Sequence, residues 1–337
     1  MALDDATGGA GPASIVGNAM RGHVGRISLA IAIVLAAVLL YYSVRGIDWA
    51  QAGRTIAGAD PAPLLGAALF GTLALFMRAY RWRILLTAGG NVGVADAFWA
   101  TAVGYFGNNF LPARGGEIVR TLMITSRSTL QTAFVLATAL SERIADAIAL
   151  VIISGAALSI MPAQPGWLAK AAWPFAVIGV FGAMGIAILP LLGSAGRRLI
   201  ENAPVPHRWR PRMLMMLERG LSGIRTFHDV RRLSQFVALT FFIWYLDALG
   251  TVFAAGALGL QMPLPVALLV ITGLSLGSAL PSTPGYVGIY QFVAVTILTP
   301  FGFSRTDAIA YILVVQALMY SLIGFWGALG MWRYRRG

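Results

Sequence analysis

Three groups of charged and polar residues interrupt stretches that are otherwise apolar. The first runs from Asn108 and Asn109 through Pro112, Arg114, Gly115 and Gly116 to Glu117 and Arg120. The second is Ser141, Glu142, Arg143 and Asp146. The third is Asp247, with Ser282, Thr283 and Gln291 around a second break, Pro281, Pro284 and Gly285. Where helix resumes after Gly116, Glu117 and Arg120 fall on one face at i, i+3. Glu142 and Asp146 lie one turn apart, and Arg143 is placed to pair with Asp146. Arg114, Arg120 and Arg143, with backbone N–H groups at the start of half-helices, suit an anion and especially a phosphate. Glu117, Glu142 and Asp146 then balance the arginines, or accept a proton or a cationic headgroup. For each group taken alone, an ion pair that merely ties helices together is an equal alternative. Three such groups in one chain, two of them at helix breaks, point to a shared polar cavity.

The surroundings explain why these groups are informative. The 337-residue chain is 58% hydrophobic and 11% charged, where a soluble protein carries about 25% charged residues. With a mean hydropathy of +0.75, a bilayer is the natural solvent, and ionisable groups held inside one are costly and usually functional. The net charge is +12. Its basic residues cluster beside apolar runs, the pattern of cytoplasmic loops and not of nucleic-acid binding. There are no cysteines, which excludes disulfides and thiolate chemistry. His23, His207 and His228 stand at no metal-ligand spacing. No phosphate-binding loop or zinc-protease motif is present, so neither a metal nor another cofactor is expected.

Every lipid-embedded segment should be helical, because its backbone must satisfy itself. Full spans are expected over residues 27–44, 63–78, 130–160, 171–192, 233–258 and 308–332. The first is read as a retained signal anchor after a mobile tail, residues 1–26. Residues 97–111 and 266–280 are shorter apolar arms, each ending at a proline and glycine break. Their breaks align. Gly104 precedes Leu111 by seven residues as Gly273 precedes Leu280, and Gly116 and Gly285 each follow the proline by four. This internal repeat is of the kind found at transporter sites. The expected fold is therefore an all-α polytopic membrane protein with about six full spans and two broken, re-entrant hairpins in inverted arrangement. Counting some arms as crossings gives about eight spans instead. The arginine-rich stretch 197–232 and the basic tail 333–337 belong in the cytoplasm with both termini. Within that stretch, residues 213–227 carry apolar positions at helical spacing, as an amphipathic surface helix or a solvated linker helix packed on the bundle would. Arg78, Arg81 and Trp82 at the end of the second span are read as an interfacial anchor.

These same residues carry a family resemblance. Arg78 to Leu86 (RxxRWxxLL), Gly104 to Arg120 (GxxxNxxxPxRxGExxR), Glu142 to Asp146 (ERxxD) and Leu280 to Gly288 (LPxTPGxxG) resemble the lysylphosphatidylglycerol synthase transmembrane region, also called the flippase-like family. The likeness extends over residues 27–332. It implies translocation of a lipid or lipid-linked headgroup, either an anionic phospholipid or a polyprenyl- or hopanoid-type lipid, in a bacterial inner membrane. Members with aminoacyl-lipid synthase activity have a separate soluble domain after the membrane part. The chain ends at Gly337, so that transferase chemistry is not expected, and the protein is read as a transporter and not an enzyme. Gln291 stands where relatives tend to have a carboxylate. The rival readings are a membrane enzyme acting on a lipid headgroup and a non-catalytic partner of a glycosyltransferase or lipid-pathway enzyme. Self-association is a further expectation.

Overall fold

The computed structural model describes residues 23–111, 115–161, 229–278 and 284–336, with isolated positions at 166, 198, 200–202, 210 and 214. Pro112, Arg114, Pro281, Ser282 and Thr283 lie outside the described residues. So do most of the tail 1–26, the span expected over 171–192 and nearly all of the surface helix expected over 213–227. Among the described residues the regular structure is helical, without strands. The helices are α1 (His23–Val44), α2 (Trp49–Ala57), α3 (Pro61–Leu86), α4 (Val94–Phe110), α5 (Gly116–Thr125), α6 (Thr132–Ser159), α7 (Val230–Ala257), α8 (Leu264–Gly277), α9 (Ile289–Leu298) and α10 (Arg305–Arg336).

Local chemistry starts several of these helices. The Asp48 carboxylate accepts the Gln51 N–H at 2.9 Å, and Asp60 accepts that of Ala62 at 2.9 Å with Pro61 in the first turn. Both satisfy donors that a helix start leaves open. The Asp229 side chain does the same for Arg231 and Arg232. The bilayer sets which helices can cross. At about 1.5 Å per residue, a hydrocarbon core of roughly 30 Å needs about 20 residues. Among the described residues α3, α7 and α10 are long and apolar enough to cross, and α1 and α2, bent by 89° to each other, make a fourth where the pair counts as one span. α6 has 28 residues but carries Glu142, Arg143 and Asp146 near its middle. Leu65, Leu69 and Phe325 are at least 60% exposed, as side chains facing lipid are.

Contacts between helix ends fix their directions. Asp60 N–H donates to Ala257 O at 2.8 Å, and Arg232 donates to Ile84 O at 3.3 Å, so α3 and α7 are antiparallel. Ser126 shares a hydrogen bond with Tyr334 at 2.8 Å, which brings the ends of α5 and α10 together. Arg305, at the start of α10, reaches Ser43 O at the end of α1, at 3.3 Å. α6 begins where Phe134 and Leu130 meet Gly89, and ends where Ala157 and Leu158 pack with Leu269 and Phe301. Met161 and Asp229 thus stand at opposite ends of the bundle.

Within this frame α4 and α5 form one hairpin and α8 and α9 another. Gly104 packs on Arg120 and Gly107 on Gly116, so α4 and α5 are antiparallel. Gly273 packs on Val293 and Ile297, and Gly277 on Ile289, so the second pair is antiparallel as well. The arms have 17, 10, 14 and 10 residues. At about 1.5 Å per residue none reaches across a 30 Å core. The first hairpin leaves and rejoins the end that holds Leu86 and Thr132. The second leaves and rejoins the end that holds Ala257 and Arg305. The two therefore enter from opposite ends, as the aligned breaks predict. They differ where the second arm starts. α5 follows directly on Gly115 in helical conformation, whereas α9 is preceded by a 3-10 turn, Pro284–Tyr286, with Gly285, Tyr286 and Gly288 all at positive φ.

The first hairpin closes on glycine because nothing larger fits. A Cβ on Gly116 would lie 1.8 Å from Gly104 O and 2.6 Å from Asn108 N. Both are backbone atoms, so no side-chain rotation relieves the clash. Gly116→Ala is expected to cost at least about 1–3 kcal/mol of overpacking, seen as a lowered unfolding midpoint of the purified protein. Gly155→Ala, inside α6 where a Cβ meets nothing within 4 Å, is the matched control and should hold or slightly raise the midpoint.

Candidate functional site

Eight charged side chains from four helices meet near the middle of the bundle. Arg81 of α3 is 1% exposed and sits between both carboxylates of α6. Its Nη1 donates to Asp146 Oδ1 at 2.6 Å, and its Nη2 to Asp146 Oδ2 at 3.0 Å and Glu142 Oε1 at 2.9 Å. Nη1 also donates to the Thr240 hydroxyl of α7 at 2.8 Å. The other Glu142 oxygen takes Arg120 of α5 at 3.1 Å. Arg120, also 1% exposed, lies 2.6 Å from Glu117 as well and has its guanidinium over the Trp82 ring at 4.4 Å. Glu117 then accepts Arg143 Nε at 3.0 Å and Asn108 Nδ2 at 3.2 Å. Arg78 of α3 forms a two-point pair with Asp247 of α7, its Nη1 at 3.3 Å and its Nη2 closer still. Four arginines face four carboxylates. The match is what low-dielectric surroundings demand, since an unpaired buried charge is far costlier than a paired one.

Exposure grades outward through this set. Arg81, Arg120 and Glu142 are sealed, while the side chains of Arg78, Asp247, Glu117 and Arg143 are 13%, 20%, 21% and 29% exposed. The open side is a cavity of about 700 Å³. Its polar wall holds Arg78, Arg143, Asp146 and Asp247, with Asn108 and Asn109 from the tip of the first hairpin. Ser278 and Tyr286 bring in the second hairpin. Tyr105 adjoins both accessible arginines, its ring 5.9 Å from Arg78 and 5.4 Å from Arg143. The remaining wall is apolar, with Leu150, Ile271, Leu274, Leu318 and Leu322 among its residues. One side of the space thus suits a charged or hydrogen-bonding group and the other a hydrocarbon chain.

Several expectations are corrected by this arrangement. Arg81 and Trp82 are not an interfacial anchor. Both are buried, and Arg81 is the hub of the ion-pair network. Arg78 likewise faces the cavity. Arg143 pairs with Glu117 and not with Asp146, because Arg81 takes both Asp146 oxygens. Arg120 cannot grip a ligand as expected, since it is sealed between Glu117 and Glu142. Asp247 belongs with Arg78 and not with the polar residues of the second break. Gln291 is buried and does not line the cavity. Its Oε1 accepts the Gly288 N–H at 2.7 Å, its Nε2 donates to Gln316, and Gln316 Nε2 donates to Gly285 O at 3.0 Å. These buried amides secure the turn that the second hairpin makes. Ser141 hydroxyl bonds back to Ala137 O at 2.8 Å within its own helix. The sequence reading missed Tyr105, Trp244 and Gln316. The spacing of Tyr105, three residues before Asn108, was the one available signal, placing it on the same face of α4.

Known proteins fit this description. The family described as Lysylphosphatidylglycerol synthase TM region matches residues 27–327. A UPF0104 membrane protein of Methanocaldococcus jannaschii is 22% identical over 228 residues, covering 66% of this chain and 92% of that protein. The residues matched include both hairpins and every charged residue of the network. The chain is a multi-pass membrane protein that belongs to the lysylphosphatidylglycerol synthase transmembrane-region family.

Proposed function

We propose that the protein moves a lipid or lipid-linked headgroup between the leaflets of a bacterial inner membrane, without group transfer. The observation that carries this reading is the two-sided cavity. It lies between two hairpins that enter from opposite ends, and it sets accessible charges against an apolar wall within one space. A headgroup held there would have its desolvation offset by Arg78, Arg143, Asp146, Asp247 and Asn108. Its chains would lie along Leu274, Leu318 and Leu322. The purified protein alone in liposomes should raise the rate at which a headgroup-labelled phospholipid changes leaflet. A rate equal to that of protein-free liposomes would remove the transport reading.

The orientation we propose follows from charge. At the ends of the described helices that gather Leu86, Thr125 and Val230 stand Arg26, Arg83, Arg127, Arg231, Arg232, Arg333, Arg335 and Arg336, against Asp96 and Asp229. The opposite ends balance Arg45, Arg54 and Arg305 with Asp48, Asp60 and Asp307. The arginine-rich end is then cytoplasmic. Because the chain has no cysteine, single substitutions report cleanly. An impermeant thiol reagent outside intact cells should label Gln51→Cys and spare Thr129→Cys. The reverse pattern would invert the topology.

A further inference from the structure

The accessible charges of the cavity are matched in number and sign, and this bears on which headgroup fits. Resting on the transport reading above, we propose that the cavity takes a zwitterionic aminoalkyl phosphate headgroup in preference to a purely anionic one. Arg78 and Arg143 both line the cavity, each within 6 Å of the Tyr105 ring, and present guanidinium groups to a phosphate. Asp247 and Asp146 line the same wall and offer carboxylates to an ammonium. Trp244 and Tyr105, whose rings already carry arginine guanidinium groups, offer faces that attract a cation. A zwitterion entering this space exchanges ion pairs one for one. Its phosphate takes Arg78 from Asp247, and its ammonium takes the Asp247 carboxylate so released. An anion that takes Arg78 alone leaves Asp247 unpaired in surroundings of low dielectric, which is the costly outcome. The graded exposure supports the exchange. The pairs that would open are the outer ones, Arg78 with Asp247 and Arg143 with Glu117, while Arg81, Arg120 and Glu142 stay sealed behind them.

The test uses the full chain in detergent and measures the unfolding midpoint against added short-chain phosphatidylethanolamine, short-chain phosphatidylglycerol and soluble glycerophosphoethanolamine. Phosphatidylethanolamine is expected to raise the midpoint at a concentration about tenfold below that of phosphatidylglycerol, a difference of roughly 1.4 kcal/mol. Asp247→Asn, which removes one acceptor and leaves Arg78 uncompensated, should narrow or reverse that ranking. Equal or tighter binding of phosphatidylglycerol to the unsubstituted protein overturns the proposal, as does binding of neither lipid. The unsubstituted ranking decides even where Asp247→Asn fails to fold. Binding of phosphatidylethanolamine without its translocation in liposomes upholds the headgroup class and removes the transport reading. Glycerophosphoethanolamine binding as tightly as the lipid upholds the headgroup class too, and makes the ligand a soluble molecule.

Discussion

Arg81→Met is expected to destabilise the protein more than any other single change in the charged network. The substitution keeps an unbranched apolar side chain of similar length and removes the charge. Asp146 then loses both of its Nη partners, and Glu142 keeps only Arg120. Breaking a buried pair in this way costs about 3–5 kcal/mol, because the carboxylate left behind has lost the guanidinium that bound both of its oxygens. Adding Asp146→Asn removes the stranded charge. The double variant should therefore be more stable than Arg81→Met alone, although one charge poorer still. The measurement is the unfolding midpoint of the purified protein for both variants. A single variant within about 0.5 kcal/mol of the unsubstituted protein, the range of ordinary surface changes, would show that the network contributes little. Added salt should alter neither difference much, since buried pairs are screened far less than exposed ones.

Arg143→Gln should have the opposite profile, with translocation falling at least about tenfold while the fold is retained. Arg143 is the most exposed arginine of the network and lines the cavity. Its loss does not strand Glu117, which still has Arg120 at 2.6 Å and Asn108 at 3.2 Å. A charge-assisted hydrogen bond to a phosphate is worth roughly 1.5–3 kcal/mol, or about a tenfold change or more in affinity. Arg143→Lys keeps the charge and loses the planar fork, so it should fall between the two. Leaflet exchange in liposomes, scored beside the unfolding midpoint, separates the roles. Full transport by Arg143→Gln would mean that this arginine only ties α5 to α6. The same pair of measurements applies to Arg114→Lys, the change at the hairpin position that lies outside the described residues.

Residue types and their order along the chain determined the class of the fold. With so few charges, the long apolar runs had to be helices in a bilayer, since no other conformation satisfies the backbone there. The breaks at Gly116 and Gly285 were legible because proline and glycine act on their own segment. So was the choice of Glu117, Arg120, Glu142, Arg143 and Asp146, because ionisable groups are conspicuous against an apolar background. Their pairing was not legible. Arg81 meets Asp146 across 65 residues and Arg78 meets Asp247 across 169. Such pairs depend on how far each helix is rotated about its axis and how deep it sits. A local reading gave Arg143 the carboxylate of Asp146 three residues on, and the packing gave it Glu117 from the first hairpin. An arginine near the end of an apolar span reads as an interfacial anchor. Arg81 became a buried hub because α6 and α7 present Asp146, Glu142 and Thr240 at its depth. Sequence alone therefore determined which groups had to be neutralised inside the membrane, and only the tertiary structure decided which of them neutralise each other and which remain open to a ligand.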